Sequence, residues 1–149
     1  MGLFGPTPKN TGKSGVVGVE CIATISAKLV QAGYNVLTPY SVLHQHDLLF
    51  EDADGNFWRL WCRVGWLSRD RTCVLFDGSN PWDTRAKGRG FARKTQERHT
   101  TDYFAVYSPR LRTIYLIPAS HVHDGENALQ LVEARNDAQD VRWAEDYKL

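Results

Sequence analysis

The chain reads as an α/β fold built on one mixed sheet. Three observations carry that reading. Residues 14–32 repeat apolar side chains at helical spacing and stop at Gly33, and a short β-branched strand follows at once. Residues 47–64 (DLLFEDADGNFWRLWCRV) alternate with period two on both sides of a Gly/Asn/Asp turn, which predicts a hairpin. Three further apolar runs, TCVLF at 72–76, YFAVY at 103–107 and TIYLI at 113–117, are long enough for strands and too short for helices.

The 149 residues suit one domain with a flexible arm at 1–13, rich in Gly, Pro, Thr and Lys. Within the arm TPKNTGKS ends like a phosphate-binding loop. The first glycine such a loop needs is Thr7, and no apolar strand precedes it, so that motif is set aside. The helix from Ser14 or Gly15 to Ala32 has two rows. Ile22, Ile25 and Leu29 form the apolar one; Val16, Glu20, Ala23, Ala27 and Val30 form a row of small residues suited to close packing on a sheet, with Glu20 either at its head or at its edge in water. Tyr34–Thr38 is a strand closed by Pro39, and residues 40–46 connect it to the hairpin. Residues 77–98 form a Gly- and Pro-containing basic loop. The strands at 103–107 and 113–117 join around Pro109, and Pro118 ends the second. Leu129–Glu133 suits a short edge strand and Val141–Tyr147 a terminal helical turn.

The hairpin has an unusual outer face. Leu48, Phe50, Leu60, Cys62 and Val64 fall on one side; Asp47, Glu51, Arg59, Trp61 and Arg63 fall on the other. The two sets match only across an odd loop, because a one-residue slip flips a strand. A three-residue loop with Gly55 or Asn56 at positive φ places Asp47 opposite Arg63.

Net charge is +1, but its distribution is uneven. Residues 85–98 hold Arg85, Lys87, Arg89, Arg93, Lys94 and Arg98 against Glu97, whereas residues 124–149 hold seven acids against three bases. A basic stretch of this kind, with Arg59 on the hairpin, is a candidate nucleic-acid surface, the alternative being a solvated loop. Cys21, Cys62 and Cys73 are odd in number and lack CxxC spacing, which fits a reduced, cytoplasmic setting better than a disulfide framework. No apolar run approaches the ~18 residues of a membrane span, and MGLFGPTPKN lacks the apolar segment of a signal peptide. The pairs His44-x-His46 and His121-x-His123, with Cys62 or Cys73, have no finger spacing and read as loop histidines, His46 being the one best placed to add a ligand beside Asp47. Tyr103, Phe104, Tyr107 and Tyr115 are strand-core aromatics or base-stacking surfaces; Asp102 caps a turn or orients a basic side chain.

GVVGVE with Glu20, GYNVLTP, HDLLFEDADGNFWRLWCRV, DYFAVYSPRLRTIYLIP and RWAEDY stand in the order and spacing of a known nuclease core. Over about residues 12–147 the chain resembles the PD-(D/E)XK nuclease superfamily. Within it the likeness is greatest to the small group I intron homing endonucleases, with Holliday junction resolvases as relatives. The resemblance implies a restriction-endonuclease-like core, a central mixed sheet flanked by helices. It also implies a metal-dependent DNA endonuclease that hydrolyses phosphodiester bonds. Glu20, Asp47 and Arg63 fall at the catalytic positions; Glu20, Asp47 and the backbone carbonyl of Cys62 fall at the positions that hold Mg²⁺ or Mn²⁺. Two residues depart from the pattern: Trp61 stands where Glu, Asp or Gln is expected, and Arg63 where Lys is expected. Trp cannot ligate a hard metal, and Arg keeps the charge without serving as a base. The departures open an alternative, a degenerate nuclease fold that binds DNA or structured intron RNA without cutting it. Cutting both strands asks for two sites, so a homo-oligomer is expected.

Overall fold

A computed structural model describes residues 15–40, 46–79, 101–132 and 141–149. The expected arm at 1–13, His44 and the basic residues 85–98 lie outside these.

The helix α1 runs Gly15–Gln31, followed by β1 (Asn35–Leu37), β2 (Leu48–Glu51), β3 (Phe57–Val64), β4 (Trp66–Leu67), β5 (Cys73–Asp77), β6 (Tyr103–Ser108), β7 (Thr113–Pro118) and β8 (Glu126–Gln130). Short 3₁₀ turns occupy Ala119–His121 and Ala144–Tyr147, the second standing where a terminal helical turn is expected. The main sheet has the order β1-β2-β3-β6-β7, with β3 and β6 parallel and every other pair antiparallel. A second, antiparallel sheet has the order β4-β5-β8. The predicted mixed sheet with a helix packed on the hairpin is therefore present. Among the described residues α1 covers one face, and the small sheet, not a helix, covers the other.

The helix ends because Gly33 adopts φ 98°, which glycine accepts without strain, and Tyr34 N–H then donates back to the Leu29 carbonyl at 3.1 Å. Its buried row is Cys21, Ile25 and Leu29, packed on Leu48, Phe50, Leu60, Cys62, Ala105 and Ile114. The row of small residues does not pack on the sheet. Ala23, Ala27 and Val30 are exposed, and Glu20 is exposed with them. Cys21 displaces that row from the interface: the i, i+4, i+8 line through Cys21, Ile25 and Leu29 is the straighter apolar stripe.

The hairpin parity is as expected. Leu48, Phe50, Leu60 and Cys62 face α1, and a one-residue slip would expose Leu48 and Phe50 at a cost of about 2 kcal/mol each. The register differs by two residues, which preserves the faces. Leu48 pairs with Leu60 and Glu51 with Phe57, which carries Asp47 to the level of Trp61, not Arg63. The three-residue loop is Ala53–Gly55, closed by Asp52 N–H donating to the Asn56 carbonyl at 3.0 Å, with Gly55 at φ 79°. The Asp52 carboxylate sets this position. It accepts from Asp54 N and Asn56 N, both at 2.9 Å, from Asn56 Nδ2 at 3.2 Å and from Trp58 Nε1 at 2.9 Å.

On the other face Trp61, Phe104, Val106, Tyr115 and Ile117 meet Val74, Phe76 and Leu129 of the small sheet. The chain turns from β3 into β4 at Gly65, where a Cβ would lie 2.6 Å from Val74 Cγ1 and 2.8 Å from Val106 Cγ1. Only glycine lets the two sheets approach this closely. The edge strand expected at 129–133 begins earlier, at Glu126. Asn127 hides it from an apolar reading: it is buried and uses its side chain to hold the 123–125 turn, donating to the His123 and Gly125 carbonyls at 2.8 and 3.0 Å. Phe104, Tyr107 and Tyr115 are core aromatics, and Tyr103 packs half-buried on Phe50 and Trp58. Among the described residues no helix is long and apolar enough to cross a membrane.

Candidate active site

The site lies where β2 and β3 part. Beyond Leu48 and Leu60 the ladder stops, yet Asp47 N–H still donates to the Leu60 carbonyl at 3.0 Å. The Asp47 carboxylate then accepts the next β3 amide, Cys62 N–H, at 2.7 Å, doing what a strand carbonyl would have done. This charge-assisted bond fixes the carboxylate at the strand edge.

Arg63 follows on β3. Its Nη1 is 3.9 Å from Asp47 Oδ2, with the two side chains 17% and 35% exposed. All three guanidinium nitrogens donate to backbone carbonyls: Nη1 to Cys62 at 2.9 Å, Nε to Asp77 at 3.1 Å and Nη2 to Ser79 at 3.1 Å. The plane lies over two rings, its carbon 5.4 Å from the Trp61 centroid and 5.6 Å from that of Phe104. Burial pulls the Arg63 pKa down, and the charges of Asp47 and Asp77 oppose it. The fork and the rings explain why an arginine suits this position: a lysine would hold fewer carbonyls and stack less well.

Trp61 is 2% exposed, with its ring edge-on to Phe104 at 5.4 Å. At the place where the family pattern has an acid or amide, this chain has a core residue.

The donor chemistry of Asp47, Glu20 and the Cys62 carbonyl, all hard oxygens, suits Mg²⁺ or Mn²⁺. In the arrangement described, Arg63 Nη1 holds the carbonyl. Glu20 lies on the exposed side of α1, one residue before Cys21. Cys21 Sγ–H donates to the Arg63 carbonyl at 3.3 Å, tying the helix to the same point of β3. Burial first, then the Asp47 charge, pushes the Cys21 thiol up to about 11. Burial likewise raises Cys62 well above the ordinary thiol value. Among the described residues no three His, Cys, Asp or Glu side chains gather where they could hold a metal. His46 acts electrostatically on Asp102; His121 Nδ1 meets Tyr147 Oη at 2.9 Å, and Cys73 Sγ–H donates to Gln130 at 3.1 Å.

Arg59 stands apart from Arg63, in a forked pair with Asp102: Nε to Oδ2 and Nη2 to Oδ1, both 3.1 Å. Asp102 also accepts Arg59 N–H at 2.7 Å, so it orients a basic side chain and completes the edge of β3 together. Burial works to raise the Asp102 pKa, but the Arg59 hydrogen bonds and charge outweigh it and hold the carboxyl below its usual value. The carbonyls of Asp77 and Ser79 escaped the sequence reading. Backbone acceptors carry no side-chain signature, and nothing in the chain could have signalled them.

Three comparisons bear on this arrangement. No curated protein sequence matches the chain significantly. Among solved structures, a bacterial homing endonuclease, I-Ssp6803I, superposes with a TM-score of 0.64 at 18% identity, over 93% of this chain and 88% of that one. At that identity the likeness establishes the fold. The sequence model of the PD-(D/E)XK endonuclease matches residues 13–149, which include the helix of Glu20, the hairpin of Asp47 and Arg63, and both sheets. With the match running from the start of α1 to the last residue and an acid and a cation meeting at the parting of β2 and β3, the chain belongs to the PD-(D/E)XK endonuclease family.

Proposed function

We propose that this chain is a DNA endonuclease of the homing type that hydrolyses phosphodiester bonds at the Asp47–Arg63 corner. The observation that carries the reading is the pairing itself: the residues at the family's acidic and basic positions meet at 3.9 Å on a strand edge open to solvent on the Asp47 side. Mg²⁺ or Mn²⁺ would be held by Glu20 and Asp47, with the Cys62 carbonyl as a third donor, and would polarise the scissile phosphate and lower the pKa of a bound water. The bond from Cys62 N–H, which holds the Asp47 carboxylate at the strand edge, supports this reading. Arg63 would supply positive charge toward the phosphate. The basic residues Arg85, Lys87, Arg89, Arg93, Lys94 and Arg98, with Arg59, would hold the DNA backbone, and a homo-oligomer would bring two sites to the two strands.

The second reading is a DNA-binding protein that does not cut. Two observations favour it: Trp61 fills the core where a ligand is expected, and Arg63 Nη1 sits on the Cys62 carbonyl.

Plasmid nicking with Mg²⁺ or Mn²⁺ separates the two, run beside Asp47→Asn, which keeps an oxygen acceptor for Cys62 N–H and removes the charge. Nicking by the parent and loss in the variant support the enzyme. A parent that binds DNA and leaves the plasmid intact in both ions supports the binder. In either case affinity should fall with salt by about 0.9 log units per log unit for each phosphate contacted, and Arg89→Ala with Arg93→Ala should flatten the slope by roughly two.

A further inference from the structure

We propose that the Arg63 guanidinium is a resident cation of this site: it occupies the place between the Asp47 carboxylate and the Cys62 carbonyl, and a divalent ion binds those two oxygens only when Arg63 is displaced. The inference rests on the reading of this corner as the nuclease site, but it concerns occupancy, not cleavage.

The geometry is specific. Nη1 reaches the Cys62 carbonyl at 2.9 Å and faces Asp47 Oδ2 at 3.9 Å, so one nitrogen serves the two oxygens that an ion would need. Its position is not that of a loose surface arginine. Nε and Nη2 are fixed on the carbonyls of Asp77, the last residue of β5, and Ser79, two residues beyond it, and the plane rests on the rings of Trp61 and Phe104. A lysine, with one nitrogen on a flexible stem, has no fork to spread over three carbonyls and can stand aside from an ion. Trp61 belongs to the same device. By replacing an oxygen-bearing side chain it removes a donor for a metal and supplies the face on which the guanidinium stacks. The two departures from the family pattern thus act together, exchanging a metal's ligands for an arginine's seat. A second cation on the same carboxylate and carbonyl meets both repulsion from the guanidinium and the loss of its hydrogen bond.

The test reads Mn²⁺ binding by calorimetry without DNA, on the parent, Arg63→Met and Arg63→Lys. Met keeps the unbranched stem over Trp61 and Phe104 and removes the charge. The parent should bind Mn²⁺ weakly, and both variants at least tenfold more tightly, the gain disappearing when Asp47→Asn is added to Arg63→Met. Folded variants that bind no more tightly than the parent overturn the proposal. Should the variants not fold, the parent decides: equimolar Mn²⁺ should leave the Cys62 amide signal as sharp as the rest, and selective paramagnetic broadening there overturns the proposal. Nicking is scored separately. A parent that never cuts, with variants that gain Mn²⁺, leaves the resident cation standing while the endonuclease reading falls. A cutting parent whose Cys62 amide broadens does the reverse.

Discussion

Restoring the family residue at position 61 should damage this protein, because Trp61 has become a core residue. Trp61→Gln removes an indole that is 2% exposed and packed edge-on against Phe104 at 5.4 Å. Truncating a buried Trp costs about 3–5 kcal/mol from lost transfer energy and the cavity left behind. Gln refills part of that volume but brings an amide into an apolar cluster, which adds about 1–3 kcal/mol if it finds no partner. The stacking surface under Arg63 disappears as well. A net cost of about 4–5 kcal/mol is a large share of the 5–15 kcal/mol that holds a typical domain together. For a chain of this length each kcal/mol moves the melting temperature by about 3 °C, so Trp61→Gln should melt roughly 12–15 °C below the parent. Circular dichroism melts and urea midpoints measure this directly. Trp61→Phe, which keeps a ring for Phe104 and Arg63, should lose less than half as much. A Trp61→Gln protein melting within about 3 °C of the parent would refute the argument that this strand position has passed from ligand to core.

Three other outcomes are expected. The Trp58 indole N–H, then the Asn56 amide, depress the Asp52 carboxyl to about 2, from 3.8. A depressed folded pKa gives stability that is complete above about pH 4 and lost as pH falls through 2, so urea midpoints of the parent should drop between pH 4 and 2.5 more steeply than those of Asp52→Asn. Asp102→Ala should cost about 1–2 kcal/mol: the Arg59 pair is exposed on one side (46% and 27%), but the bond from Arg59 N–H at 2.7 Å is charge-assisted. Asp102→Asn, which keeps an acceptor, should recover about half of that in urea unfolding. Alkylation at pH 8 followed by mass spectrometry should label half-buried Cys73 well before buried Cys21 and Cys62; equal labelling would mean that α1 opens readily from the sheet.

The sequence by itself determined what depends on local repetition. Helical spacing and Gly33 located α1, and period two located the hairpin and the strands at 103–107 and 113–117, because each pattern is written within one segment. Parity alone also put Asp47 and Arg63 on one side of the hairpin, since an odd loop was the only one that kept Leu48, Phe50, Leu60 and Cys62 together. The pattern was silent on what covers each side. Alternation assigned Trp61 to the face away from the first core, and only the small sheet β4-β5-β8 made that face a second core. The same holds for α1, where two rows competed and contact with the sheet chose the one through Cys21. The exact register passed to Asp52, whose side chain bonds to four donors and moves the loop by one residue, a competition too close for composition to decide. The seat of Arg63 is likewise not written within any one segment. Two of its acceptors are the carbonyls of Asp77 and Ser79, 14 and 16 residues away, brought to it by the way β5 leaves the small sheet. Residue types encode faces and turns, whereas backbone acceptors and the layer that covers a face exist only once the chain has folded.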